Sequence, residues 1–207
     1  MKILITAFEP FGGDEINPTQ RLLEDIAKES IQGAEIHTLL LPVVFDACSE
    51  KLIASIESVQ PDAVVCCGLA SGRTSITPEQ IAINLKEVPK ESAIADNNGN
   101  RPYNEAVNPD GPDGLFTRLP VRQMVEVMQQ QGIPASISYS AGTFICNNTM
   151  YALLDYIRLH DLPIAGGFVH FPASQDMAVH KPSLPFLSHE TMLLGLKVIV
   201  GTLIRPN

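Results

Sequence analysis

The sequence predicts an α/β fold: a single domain with a twisted, mostly parallel sheet and helices on both faces. Three observations point there. Short apolar runs alternate with amphipathic segments along most of the chain, Gly, Pro and Asn punctuate the joints between them, and no shift in composition divides the 207 residues. With 45% hydrophobic residues the chain can bury one large core.

Residues 2–7 read as a buried strand that runs into the turn Phe11-Gly12-Gly13. Asn17 and Pro18 then supply an N-cap and a first-turn proline for a helix over 19–28. A strand at 35–41, an amphipathic helix at 45–59 and an apolar strand at 62–67, closed by Gly68, continue the alternation. Residues 79–85 look like another strand. The stretch 86–119 is rich in Pro, Asn, Asp and Gly and predicts a long structured excursion. Regular alternation returns with a helix at 121–131, a strand at 135–139, a helix at 147–160, a strand at 164–171 and a last helix near 190–204.

The formal net charge is −9 with acidic residues scattered, which argues against a nucleic-acid surface and for small-molecule or peptide partners. Glu9 and the Phe11-Gly12-Gly13 turn interrupt the first apolar run before a secretion signal is complete. The apolar stretch 192–204 is too short to span a bilayer and contains Lys197, so no membrane association is expected. Four cysteines without dense spacing predict reduced thiols and a cytoplasmic location.

In sheets of this kind ligands bind at the carboxyl ends of the strands, and the polar candidates lie there. Cys146 follows the small-residue turn Ser140-Ala141-Gly142-Thr143 at the start of a helix. A helix N-terminus favours a thiolate and offers free N–H groups to an oxyanion, so a lowered thiol pKa is expected. Cys66 and Cys67 sit inside an apolar run with no base nearby and read as packing, and Cys48 falls on a predicted helix. His170 ends a strand, where a general base would stand. His37, His160, His180 and His189 are weaker candidates, with no spacing suited to zinc. Glu79 opens an apolar run and could orient His170. Taken singly, each of the three is as consistent with a structural role; they make a site only if they meet in space.

Four segments carry a resemblance: Thr6-Ala7-Phe8-Glu9-Pro10-Phe11-Gly12-Gly13, Ile76-Thr77-Pro78-Glu79-Gln80-Ile81-Ala82-Ile83-Asn84, Ser140-Ala141-Gly142-Thr143-Phe144-Ile145-Cys146-Asn147-Asn148 and Gly166-Gly167-Phe168-Val169-His170-Phe171-Pro172. In this order they resemble the pyrrolidone carboxyl peptidase (pyroglutamyl peptidase type I) family along nearly the whole chain. The resemblance implies a cysteine peptidase that removes N-terminal pyroglutamate from peptides without a cofactor, commonly as a homotetramer. It implies Cys146 as nucleophile, His170 as base and Glu79 as the orienting carboxylate. It also implies that Phe8, Phe11 and Phe144 hold the flat lactam ring while Asn17 and the backbone near Leu69 bond it.

One departure stands out. The family segment ending Arg-Ile-Pro-Asp-Asn is here longer and reads Ser92-Ala93-Ile94-Ala95-Asp96-Asn97, which puts the family arginine at Ala93. Lys86, Lys90 and Arg73 are the candidate replacements. Two other readings remain: a pyroglutamyl-peptide binder with weakened turnover, and a phosphorylase-like enzyme on a related α/β fold.

Overall fold

Alternation of side chains along each strand decides how this chain folds. In the first strand Ile3, Ile5 and Ala7 join one apolar cluster, whereas Leu4 and Phe8 join another, so both faces of the sheet must be covered. The computed structural model describes residues 1–92, 94–179 and 181–205. The principal sheet takes β1 (Lys2–Phe8), β2 (Glu35–Leu41), β3 (Ala63–Leu69), β4 (Thr77–Pro78) and β7 (Ala165–Phe171) in the order β2-β1-β3-β7-β4. The first four strands in that order run parallel and β4 runs antiparallel to β7.

Helices α1 (Pro18–Ile26), α3 (Val121–Gln130) and α6 (His189–Ile204) pack on one face, where Leu22, Met124 and Leu196 meet Ile5, Val65 and Val169. Helices α2 (Ala47–Val59) and α4 (Ile145–Leu159) cover the other, where Leu52 and Leu153 meet Leu4, Val64 and Phe168. Each such fully buried side chain contributes roughly 1.5–3 kcal/mol, which fixes the register of strands that carry little else. Because α1 and α2 lie on opposite faces, the chain reverses its winding between β1 and β3. A crevice opens at the carboxyl ends of those two strands.

Helix α1 starts as expected, with Asn17 as N-cap accepting from Thr19 N and Pro18 in its first turn. Three expectations need correction. The run 79–85 is not one strand: β4 ends at Pro78, and β5 (Ile81–Ile83) leaves the sheet to pair antiparallel with β6 (Gly114–Phe116). Residues 135–139 form only isolated bridges, Ile76 with Ala135 and Glu79 with Ser138. Their ladder runs from Ile76 N to Pro134 O, Ser136 N to Ile76 O, Ser138 N to Pro78 O and Gln80 N to Ser138 O. The missing rung belongs to Pro78, which has no N–H to give. The connection before α6 also holds elements that its Pro and Ser content hid: β8 (Ala173–Ser174), the short helix α5 (Gln175–Ala178) and β9 (Phe186–Leu187).

The excursion 86–119 is tied down by side chains rather than by periodic structure. Buried Asp96 accepts from Phe45 N, Asn98 N and Asn100 N, and Asn97 Nδ2 donates to Glu9 Oε1 at 3.0 Å. Arg101 donates to the carbonyls of Pro89, Ser92 and Ile94. Among the described residues no helix is long and apolar enough to cross a membrane.

Candidate active site

Strand pairing assembles the site. In the parallel pair β3–β7, Gly68 stands opposite His170, and registered residues of neighbouring strands share a face. Across β7, Thr77 of β4 also stands opposite His170, so Glu79, two residues on, projects to the same face. His170 and Glu79 are both buried. Their contact is direct: His170 Nδ1 lies 2.7 Å from Glu79 Oε1.

Burial works against the charge of Glu79, but the hydrogen bond and charge of His170, with Ser138 and Arg73 beside it, hold the carboxyl below its ordinary pKa. An ionised carboxylate only accepts hydrogen bonds, so Nδ1 of His170 carries the proton and Nε2 keeps its lone pair. Burial lowers the His170 pKa; Glu79 opposes this and Arg73 reinforces it, so the ring is neutral at pH 7. The other oxygen of Glu79, Oε2, is buried without a partner among the described residues.

Cys146 enters this face from α4. It is the second residue of the helix, and the cap residue Phe144 makes no side-chain capping bond, which leaves first-turn N–H groups free. Gly142, at φ 79°, makes the turn before it. Asn147 anchors the turn to β5, accepting from Ile83 N at 2.9 Å and donating to the carbonyls of Ile83 and Leu85. Asn148 reaches the other way, donating to Ser49 Oγ of α2 at 3.1 Å. A Cβ on Gly68 would stand 3.1 Å from Cys146 Sγ and 2.6 Å from Phe168 Cζ. The bare glycine is what admits the sulfur beside the His170 strand.

The lowered thiol pKa expected from the helix start is not found. Burial pushes the Cys146 thiol up to about 12, Glu79 adds to the shift and Arg73 opposes it. Desolvation is the largest influence on the sulfur and favours the neutral thiol over the thiolate. All four cysteines are free, and burial raises the pKa of Cys48, Cys66 and Cys67 as well.

Phe8, Phe11, Asn17, Leu69 and Phe144 line a single small cavity, and Cys146 forms part of its wall. Phe11 and Phe144 face each other with ring centres 6.2 Å apart, Phe45 meets Phe144 edge-on, and Phe8 packs against Phe168 behind them. Asn17 Oδ1 is committed to Thr19 N and Thr19 Oγ1, and its Nδ2 donates to Glu9 O at 3.2 Å, leaving one amide N–H unused. Val43 and Ile145 complete the lining and were not singled out from the sequence. Val43 lies just beyond the carboxyl end of β2, so the strand-end rule could have found it.

Of the three candidate replacements for the missing arginine, only Arg73 reaches the site, donating to Glu79 Oε1 at 2.8 Å. Lys86 is paired with Asp46, and Lys90 lies over the Tyr103 ring. Ala93 and His180 lie outside the described residues. His37 pairs with Glu35 at the surface, His160 packs on Tyr156, and His189 bonds Asp25, all away from Cys146. Among the described residues no His, Cys, Asp or Glu cluster is placed to hold a metal.

The family model described as pyroglutamyl peptidase matches residues 1–206. The chain belongs to the pyroglutamyl peptidase family. These are cysteine peptidases, and hence hydrolases. Over 207 residues it is 42% identical to a pyrrolidone-carboxylate peptidase of Clostridium botulinum, covering 100% of this chain and 95% of that one. It is 38% identical over 205 residues to pyrrolidone-carboxylate peptidase 1 of Caldanaerobacter subterraneus subsp. tengcongensis, covering 99% and 98%. The crystal structure of pyroglutamyl peptidase I from Bacillus amyloliquefaciens is similar at TM-score 0.92 and 38% identity, over 98% of this chain and 96% of that one. The pyrrolidone carboxyl peptidase of Thermococcus litoralis is similar at TM-score 0.91 and 34% identity, over 97% and 91%.

Proposed function

We propose that this family member hydrolyses the bond after an N-terminal pyroglutamyl residue, with Cys146 as nucleophile, His170 as general base and acid, and Glu79 as the group that orients His170. One observation carries the reading: the wall of the aromatic cavity ends in Cys146, on the face of the sheet that holds the buried His170–Glu79 pair. The neutral, planar lactam suits a pocket of Phe8, Phe11 and Phe144, whose apolar walls penalise the ammonium of an ordinary N-terminus. Asn17 has one N–H left for the ring, and the Leu69 backbone borders it.

In this mechanism the scissile carbonyl lies over Sγ. Nε2 of His170 takes the thiol proton as sulfur attacks, because the thiol is not ionised beforehand. First-turn N–H groups of α4 receive the oxyanion. His170 returns the proton to the leaving amine, and the C–N bond breaks to a thioester. Water, deprotonated by His170, then releases pyroglutamate and restores the thiol. Peptides with an N-terminal pyroglutamate are the proposed substrates, the cytoplasm the proposed location and a homotetramer the proposed assembly.

The purified protein is to be assayed on a pyroglutamyl amide that releases a chromophoric amine, with and without iodoacetamide and in buffers free of phosphate. Turnover independent of phosphate and lost in Cys146→Ala is expected. Binding without turnover would favour the binder, and native rates in Cys146→Ala would end the mechanism.

A further inference from the structure

Arg73 lies in the loop after β3, outside the three residues that carry the proposed chemistry, and its guanidinium reaches into their support. Nη1 donates to Glu79 Oε1 at 2.8 Å and to the Thr77 hydroxyl, while Nη2 donates to the carbonyl of Ser140 at 3.1 Å. Glu79 Oε1 therefore receives two donors, Nδ1 of His170 and Nη1 of Arg73. Ser140 opens the turn that delivers Cys146 to the start of α4. One planar fork thus spans the carboxylate that orients the base and the loop that carries the sulfur.

We infer that Arg73 is a positioning residue for the peptidase reaction, clamping Glu79 and tying it to the Ser140 turn so that His170 and Cys146 keep a fixed relation. The inference rests on the peptidase reading above. A guanidinium suits this role because its donors are held in one plane and bond two acceptors at once; the ammonium of lysine concentrates its charge at one point. The link is long-range in sequence, joining the β3–β4 connection to the turn before α4. The neighbouring stretches also meet through the interrupted ladder at Pro78 and through the hydroxyls of Ser75 and Ser136, 3.2 Å apart. The fork restores part of the rigidity which that missing rung removes. Its charge also acts in one sense: it keeps Glu79 an acceptor and opposes protonation of His170. Glu79 and Arg73 are the charged groups acting on His170.

The test compares the native protein with Arg73→Gln and Arg73→Lys, measuring kcat, KM and the pH profile of kcat/KM on a pyroglutamyl amide. Absence of turnover by the native protein would end the peptidase reading, whatever Arg73 does. Given turnover, Arg73→Gln is expected to lower kcat about 10- to 100-fold, the worth of a hydrogen bond to a charged group, with KM changed by less than about twofold. Its acid limb should move to higher pH, because His170 loses an opposing charge. Arg73→Lys keeps the charge, so its limb should stay native while kcat still falls. Native kcat and a native limb in Arg73→Gln would overturn the inference and leave the peptidase reading intact. Equal losses in both variants with raised KM and an unmoved limb, the mark of a merely structural arginine, would also overturn it. Should Arg73→Gln not fold, Arg73→Lys decides, lowered kcat at native KM supporting the inference and native kcat refuting it.

Discussion

His170 donates from Nδ1 to Glu79 Oε1 at 2.7 Å, with both side chains buried against β7 and β4. That bond fixes which ring nitrogen is free, and a ring in the other tautomer would point a proton at the sulfur. Glu79→Gln keeps the shape but lets the amide donate to Nδ1, favouring the wrong tautomer. The expected result is a kcat lower by about two to four orders of magnitude with KM little changed. Steady-state kinetics on a pyroglutamyl amide measures it, and a variant within threefold of native, roughly 0.6 kcal/mol, would remove Glu79 from the mechanism.

The four thiols should respond to alkylation unequally. Cys48, Cys66 and Cys67 have no exposed surface to speak of, whereas Cys146 opens on the aromatic cavity. Iodoacetamide is expected to label Cys146 first, one group per chain, with activity falling in step. Mass spectrometry of the time course checks this, and early label on Cys48 with retained activity would contradict it.

The rate should depend on pH through His170 rather than through the sulfur. Its pKa is depressed from 6.5, so the base is available at neutral pH, and kcat/KM should fall only as pH drops below that ordinary value. The thiol, pushed up to about 12, should give an alkylation rate that keeps rising through the alkaline range; a plateau near pH 7 would mean a preformed thiolate. The same groups bear on stability. Both His170 and Glu79 are depressed in the fold, so the unfolded chain binds their protons first as pH falls. Stability is complete above the unfolded histidine value and is lost through the acid range, as a series of melts from pH 8 to pH 4 would record.

Asn17 does two things with one amide, capping α1 and lining the cavity. Asn17→Ala should cost about 1 kcal/mol as a lost cap and raise KM through the lost N–H in the pocket. Asn17→Asp keeps the capping acceptor but has no N–H. It also loses the bond to Glu9 O, so it should melt below native with the cap kept while sharing the raised KM, and a native KM in both would remove Asn17 from ring binding.

The main strands and helices were legible because their apolar periods are strong and their ends carry punctuation, as at Asn17-Pro18 and Gly68. Glu79 shows where that reasoning stops. Its apolar neighbours read as one strand, but the chain turns off the sheet there, since Pro78 cannot donate a rung and Ile81–Ile83 pairs instead with β6. The candidate residues themselves could be picked out from sequence. Their meeting could not, because it depends on the registers that set Gly68 and Thr77 opposite His170. Nor was the raised pKa of the Cys146 thiol legible, since a helix start is visible in sequence and the desolvation of the sulfur is not. The grip of Arg73 on Glu79 joins residues six apart around a loop and leaves no periodic trace.

Gly68 gives the sharpest separation of packing from chemistry. A Cβ there would fall 2.6 Å from Phe168 Cζ and 3.1 Å from Cys146 Sγ, so Gly68→Ala must displace the ring, the sulfur or both. Phe168 is buried and its ring centre lies 4.8 Å from that of His170, so it has little room to yield without moving the base. Overpacking by one methyl costs about 1–3 kcal/mol, a fall in Tm of roughly 2–12 °C for a chain of this size. Activity should suffer more than stability, because a displacement of about 1 Å between nucleophile and base costs on the order of 100-fold in rate. The expected variant is folded at 25 °C, melts several degrees early, and turns over at least tenfold more slowly with slower alkylation of Cys146. Native turnover alongside a lowered melt would mean that the sulfur and the base do not share the space beside Gly68.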